Sequence, residues 1–82
     1  MKVCVSYSDG GRRKYENGTD ALEAIRRRSP DMVAYDASGW EVGYRTIDKA
    51  LSEGRVLVWE TVEDSVGDDG SHTIAEIRYE ED

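Results

Sequence analysis

Apolar residues occupy every second position at the start of the chain and predict a strand. The alternation covers residues 2–8, and a period of two is typical of a half-buried strand. Asp-Gly-Gly at 9–11 is a tight-turn sequence, because glycine adopts positive φ without steric cost. Residues 12–16 are then the returning arm, so the sequence predicts a hairpin at the start of the chain.

A short helix is expected to follow this hairpin. Thr19 or Asp20 is expected to cap it, and Glu23 lies three residues after Asp20, the spacing of a capping box. The helix is expected to run to about Arg28, because the proline of Ser29-Pro30 disfavours helical conformation in the residue before it. Its inward face is expected to hold Ala21, Leu22 and Ile25.

The next stretch repeats this plan. Residues 32–37 are expected to form a strand, residues 38–39 a turn, and residues 40–45 a returning arm that begins at Trp40. Thr46 is expected to cap a second helix, and Gly54 to end it in the left-handed conformation that glycine favours.

A long hairpin completes the chain, with arms at 55–64 and 72–80 and its tip near 67–70. The element order is therefore ββαββαββ. This order predicts an α+β fold, an antiparallel sheet, flat or curved, with two helices packed on one face. The chain is expected to be a single domain, 1–82, made of a first ββα unit (1–30), a second ββα unit (31–54) and an acidic C-terminal hairpin and tail (55–82).

Residue matches between the two ββα units predict an internal duplication. Val5, Tyr7 and Gly11 match Val33, Tyr35 and Gly39 at an offset of 28, and Tyr15, Ala21 and Leu22 match Tyr44, Ala50 and Leu51 at an offset of 29. One residue inserted in the second hairpin explains the change of offset from 28 to 29 residues. Small β-rich units commonly share Val, Tyr and Gly, so coincidence remains the alternative explanation.

Composition narrows the class of protein. The 82 residues include no Phe, five Tyr and two Trp, so at least one of Trp40 and Trp59 is expected in the core. No apolar run reaches the length of a membrane span and no signal peptide opens the chain, so we expect a cytoplasmic protein without membrane contact. Cys4 is the single cysteine and permits neither an intrachain disulfide nor a zinc site of several cysteines.

The formal charge of −7 is unevenly distributed. Residues 1–54 hold equal numbers of acidic and basic side chains, whereas residues 55–82 hold nine acidic and two basic ones. All of the net charge therefore lies in the last third. Such asymmetry favours a partner that is recognised electrostatically.

The acidic hairpin is the main candidate site. Alternate residues of a strand share a face about 6.6–6.8 Å apart, so Glu60 with Asp64 and Glu76 with Glu80 are expected to form a carboxylate patch across the hairpin. Such a patch competes for the basic groove of a nucleic-acid-binding protein; the alternative is an acidic surface that only maintains solubility. The candidate partner-binding residues are Glu60, Glu63, Asp64, Asp68, Asp69, Glu76 and Glu80, with Trp59 as an aromatic anchor.

Two basic clusters, Arg12–Lys14 and Arg26–Arg28, support a different hypothesis, direct nucleic-acid binding. The acidic last third opposes it by repulsion, so we expect no direct contact with nucleic acid. Cations at a helix C-terminus offset its partial negative charge, and charges on an edge strand prevent aggregation, which explains both clusters structurally. A homodimer that pairs through an exposed hairpin edge is a further alternative.

Catalytic residues are few. Cys4 and His72 are the only candidates for a thiol–imidazole pair. Residues 64–70 lack the ligand pattern of a calcium loop, since Val66 occupies its third position. We therefore expect a non-enzymatic protein-binding module without a cofactor. This profile resembles in type the inhibitors of phages and mobile elements, including DNA mimics and anti-CRISPR proteins, but no sequence motif carries the resemblance.

Overall fold

Six strands and two helices form in the predicted order, ββαββαββ. The computed structural model describes residues 2–63 and 69–80, with the side chains of all but 61–63 and 69–72. Neither helix in this described part has the length and apolar character that a membrane crossing requires. The elements are β1 (Lys2–Tyr7), β2 (Arg12–Tyr15), α1 (Gly18–Arg28), β3 (Met32–Tyr35), β4 (Glu41–Val42), α2 (Ile47–Glu53), β5 (Val56–Glu63) and β6 (Asp69–Glu80).

All strands join one antiparallel sheet in the order β2-β1-β6-β5-β3-β4. The C-terminal hairpin β5–β6 lies at its centre, because β6 pairs with β1 and β5 pairs with β3. The two N-terminal hairpins flank it and do not pair with each other. The acidic last third of the chain therefore holds the sheet together.

Both helices pack on the same side of the sheet, here called the covered face. Val3 of β1, Ile77 of β6 and Val58 of β5 belong to one buried cluster that also contains residues of α1 and α2. The strand residues that alternate with these buried ones point to the other side of the sheet, here called the uncovered face. The α+β class with an antiparallel sheet and two helices on one face is thus confirmed. The helix residues of the core are Ala21, Leu22, Ile25, Ile47, Ala50 and Leu51.

The first helix starts earlier than predicted. Its N-cap is Asn17, whose Oδ1 accepts a hydrogen bond from the Asp20 amide at 2.8 Å. The predicted caps at Thr19 and Asp20 are wrong, since asparagine caps a helix as well as aspartate does. Glu23 accepts a hydrogen bond from Arg27 instead of completing a capping box. The end of the helix at Arg28 is confirmed.

The returning arm of the second hairpin is shorter than the predicted 40–45. Only Glu41–Val42 is strand. The Gly43 carbonyl accepts hydrogen bonds from the amides of Thr46 and Ile47 at 3.1 and 3.0 Å, so the chain turns into α2 directly after Val42. This turn takes the place of the remaining strand residues.

Two further strand boundaries differ from the sequence prediction by two residues or more, and the conformation of Gly54 differs as well. β3 ends at Tyr35 rather than residue 37, and β6 begins at Asp69, so residues 69–70 are strand and not turn. Gly54 ends α2 with φ 160° and ψ −154°, an extended conformation rather than a left-handed one. Its amide still donates to the Ala50 carbonyl at 3.1 Å.

The two ββα units correspond at a single offset of 29 residues. The pair Ser6↔Arg12 of the first hairpin corresponds to Tyr35↔Glu41 of the second. Both turns contain a glycine of positive φ, +96° at Gly10 and +88° at Gly39. The N-caps, Asn17 and Thr46, keep the same spacing.

The predicted offset of 28 for the first three matched pairs is wrong, and so is the inserted residue. That offset aligns Val5 and Tyr7, which lie on the covered face, with Val33 and Tyr35, which lie on the uncovered face. An offset of 29 instead aligns the buried Val5 with the buried Ala34. This correspondence in register, turn and helix start is the arrangement that an internal duplication produces.

Candidate functional site

The β5–β6 hairpin is longer than its neighbours in the sheet. β3 pairs with β5 only as far as Met32↔Glu60, and β1 pairs with β6 only as far as Tyr7↔Ala75. Beyond these points the two strands of the hairpin pair only with each other within the described residues. We call residues 61–73 the acidic arm. No Lys or Arg occurs from residue 56 to residue 77, so the acidic arm itself contains neither lysine nor arginine.

The predicted acidic residues do not form one patch. Glu60 shares the covered face with Val58, and its half-buried side chain lines a small cleft with Asp9 and Arg28. Glu76 pairs with Leu57 and therefore lies on the uncovered face. Glu80 lies on that face as well, so Glu60 is separated from both by the thickness of the sheet.

Glu63 and Asp69 face each other in register in the outer part of the arm. Their side chains, and all of Asp64 and Asp68, lie outside the described residues. The candidate residues thus divide into Glu60 on the covered face, Glu76 and Glu80 on the uncovered face, and four acids within the arm.

Glu76 and Glu80 do not form a continuous carboxylate patch, because Arg78 lies between them on the same face. Arg12 donates to Glu80 at 3.2 Å and to the Cys4 sulfur at 3.5 Å. The pKa of Glu80 is lowered, first by its hydrogen bond with the Cys4 thiol and then by the charge of Arg12. This part of the uncovered face is a mixed-charge network and not an acidic surface.

Trp59 belongs to an apolar strip on the uncovered face. The strip consists of Val33 and Tyr35 of β3 and Leu57 and Trp59 of β5, which are direct cross-strand neighbours. Trp59 is half-buried and Tyr35 is 36% exposed. Sequence reasoning missed Val33, Tyr35 and Leu57 as surface residues. The signal was present: residues 32–35 and 56–59 are unbroken apolar runs, a pattern typical of strands that bury both faces.

The basic cluster at the end of α1 is engaged within the protein. Arg27 pairs with Glu23 at 2.7 Å, four residues earlier on the helix. The Arg26 guanidinium lies 5.1 Å from the centre of the Tyr44 ring. These contacts favour a role of the cluster in stabilising the fold over a role in binding nucleic acid.

Arg28, the last member of that cluster, pairs with Asp9 at 2.7 Å. Its guanidinium also lies 4.5 Å from the centre of the Tyr7 ring. In the second basic cluster, Arg12 is held by Glu80 and Cys4. Four of the six basic residues in the two clusters therefore have partners in the fold.

Cys4 and His72 are too far apart for a catalytic pair. Cys4 pairs with Arg78, and His72 lies six residues further along β6, which is about 20 Å at the rise of a strand. The Cys4 thiol is also buried beneath Arg12. Among the described residues, no three His, Cys, Asp or Glu side chains lie close enough together to hold a metal ion.

Comparison with known proteins identifies no relative of the chain. No protein-family model, curated protein sequence or solved structure matches the chain significantly. The chain is therefore defined by its fold, an α+β protein with a central acidic hairpin and one uncovered sheet face. Its function is inferred from these surfaces alone.

Proposed function

We propose that the chain is a non-enzymatic protein-binding module whose acidic arm engages a basic, nucleic-acid-binding surface of a partner protein. The observation that carries the proposal is the acidic arm itself. It extends past the last pairs that β1 and β3 make with the hairpin, and it contains Glu63, Asp64, Asp68 and Asp69 without a lysine or arginine. A concentrated charge of one sign accelerates the encounter with a partner of the opposite sign.

The fold explains how such an arm is held. Its base is the centre of the sheet, where β5 and β6 bury Val58, Ala75 and Ile77, so the arm has a rigid support. Its outer edges have no strand neighbours in the described part of the chain. An acidic module of this kind acts by occupying the partner's surface, as phage inhibitors of the DNA-mimic and anti-CRISPR type do.

Titration with a basic peptide tests this proposal. The probe is a 12-residue peptide of alternating Lys and Ala, and the signal is Trp59 fluorescence in a Trp40→Phe background. Glu63→Lys with Asp69→Lys is expected to weaken binding at least tenfold at low salt and to reduce its salt dependence. The matched control, Asp20→Lys with Asp31→Lys, changes the net charge equally and is expected to weaken binding less than threefold. Equal losses in the two variants would show that total charge, and not the arm, governs binding.

A homodimer is the second candidate, and the apolar strip on the uncovered face favours it. Val33, Leu57 and Trp59 are only half-buried in the isolated chain, and a second copy would cover them. Sedimentation at micromolar concentration distinguishes the two candidates. A dimer that Trp59→Ala dissociates supports self-association, whereas a monomer leaves the arm as the binding surface.

A further inference from the structure

Trp40 is the most exposed large apolar side chain among the described residues, at 74%. The turn that carries it is well fixed. Asp36 Oδ1 accepts hydrogen bonds from the amides of Ser38 and Trp40, each at 2.9 Å, and the Asp36 amide donates to the Trp40 carbonyl at 2.9 Å. The backbone thus presents the indole to solvent in a defined position.

The first ββα unit serves as an internal control for this side chain. The residue that corresponds to Trp40 at the offset of 29 is Gly11. The two turns share the same backbone hydrogen bonds, Tyr7 amide to Gly11 carbonyl in one and Asp36 amide to Trp40 carbonyl in the other. Because the first turn forms without any side chain there, the indole is not needed for the turn. Exposed tryptophans that folding does not require are typical anchors of protein interfaces.

A groove of about 280 Å³ lies beside Trp40, between β4 and α2. Val42 and Ala50 line it, and these two residues are 4% and 5% exposed. Trp40 therefore forms one wall of a groove with apolar lining. An aliphatic chain of a few methylenes fits such a lining.

The remaining lining of the groove carries more acidic than basic side chains. Asp36 and Glu53 are acidic, against the single basic residue Lys49. Glu41 pairs with Tyr35 and therefore points to the uncovered face, away from α2. No ion pair joins Glu53 to a basic residue within the described side chains. An aromatic wall, an apolar lining and an excess of negative charge are complementary to a side chain with an aliphatic stem and a cationic head.

We propose that this groove binds an arginine side chain of a partner protein. Its methylenes pack on Val42 and Ala50 and its guanidinium lies against the Trp40 ring, where a planar cation is attracted by the π face. The Glu53 carboxylate supplies acceptors for its N–H groups. The groove thereby recognises a specific residue of a basic partner, in contrast to the diffuse attraction of the acidic arm.

The inference deepens the proposed function, since both surfaces select a basic partner, but the two lie at opposite ends of the sheet. The turn before β4 follows Tyr35, which pairs with Leu57 near the start of β5. The acidic arm begins after Glu60, toward the other end of that strand. Substitutions at one site therefore leave the other site intact.

An NMR titration of the 82-residue chain tests the groove. The probe is acetyl-Ala-Arg-Ala-amide, and its neutral counterpart contains citrulline, which keeps the shape and loses the charge. We expect saturable shifts of the Val42 and Ala50 amide signals with the arginine peptide and at least tenfold weaker binding of the citrulline peptide. Equal binding of the two peptides would overturn the proposal.

Variants of the chain complete the test. Trp40→Ala is expected to weaken binding of the arginine peptide at least fivefold, and so is Glu53→Gln. The matched control, Asp31→Asn, removes the same charge elsewhere and is expected to change binding less than twofold. Unchanged affinity in Trp40→Ala would contradict the inference. The arm variant Glu63→Lys with Asp69→Lys should bind this peptide with unchanged affinity. The proposal for the groove and the proposal for the acidic arm are therefore tested independently.

Discussion

Gly18 determines how closely the two helices approach. It is the first residue of α1 and is buried, and its amide donates to Asp48 Oδ1 of α2 at 3.0 Å. A Cβ atom at this position would lie 2.8 Å from Ile47 Cγ1 and 2.9 Å from Leu51 Cδ1. Both contacts are shorter than van der Waals distance, so only glycine permits this packing.

We therefore predict that Gly18→Ala destabilises the protein, although alanine is the better helix former by about 1 kcal/mol. Overpacking of the contact between α1 and α2 is expected to lower the free energy of unfolding by about 1–3 kcal/mol. Gly43→Ala is the control, because its Cβ meets nothing within 4 Å, and its effect should stay within about 0.5 kcal/mol. Equilibrium unfolding in urea measures both. A Gly18→Ala variant as stable as the wild type would show that the helices shift apart at little cost.

Residue-scale roles of this kind were only partly predictable from the sequence. Ala21 and Leu22 were correctly assigned to the core, because helical periodicity identifies an inward face. The role of Gly18 depends on where α2 lies, which no local pattern states. The exposure of Trp40 was missed for a similar reason: its alternation with Val42 indicated a strand, whereas the turn that ends at Trp40 leaves the indole outside the sheet.

At the scale of elements, Arg28 connects the end of α1 to the turn between β1 and β2. Its Nη2 lies 2.7 Å from Asp9 Oδ2, and Asp9 Oδ1 accepts the Gly11 amide at 2.9 Å. The pKa of Asp9 is lowered, chiefly by the Gly11 amide and then by its hydrogen bond with Arg28. The ionised carboxylate is thus favoured in the folded state.

This contact predicts a specific pH dependence. A carboxyl whose pKa is lower in the folded state stabilises the fold above its unfolded pKa, near 3.8 for aspartate, and loses that contribution as the pH falls through the folded value. The thermal midpoint of the wild type should therefore fall more steeply below pH 4 than that of Asp9→Asn. Arg28→Gln should be intermediate, because the Gly11 amide still favours the ionised Asp9. Parallel profiles for wild type and Asp9→Asn would contradict the assignment.

The faces of the central hairpin illustrate why a site is harder to predict than its elements. The sequence located both arms of the hairpin, since their turn and strand patterns are local. Whether Glu60 and Glu76 share a face depends on the register between β5 and β6. In the observed register Leu57 pairs with Glu76. Odd-numbered residues of β5 therefore share a face with even-numbered residues of this part of β6, and Glu60 and Glu76 lie on opposite faces. A slip of one residue exchanges the two faces of a strand, and no sequence pattern in the turn determines the register here.

At the scale of the whole molecule, the C-terminal third combines two tasks. Its base supplies the central strands, with Val56, Val58 and Ile77 fully buried. Its outer part is the acidic arm on which the proposed function rests. The net charge of −7 is thus concentrated in the segment that contributes most to the sheet, so the arm cannot separate from the fold as an independent tail does.

This architecture predicts that residues 1–54 do not fold alone, although they contain two complete ββα units. The two N-terminal hairpins have no strand contact with each other, and without β5 and β6 the inner edges of β1 and β3 lose their hydrogen-bond partners. We expect a 1–54 fragment to show the narrow amide dispersion of an unfolded chain in NMR spectra. Addition of a 55–82 peptide is expected to restore the dispersed spectrum of the intact protein.

The complementing peptide also provides the control. Ile77→Asp places a charge at a fully buried position of β6 and is expected to prevent complementation, because an unpaired buried charge is strongly unfavourable. Glu63→Lys with Asp69→Lys changes only the acidic arm and is expected to permit it. Cooperative thermal unfolding of the 1–54 fragment by itself would show that the two ββα units form their own core, and the central hairpin would then be an addition to a fold that exists without it.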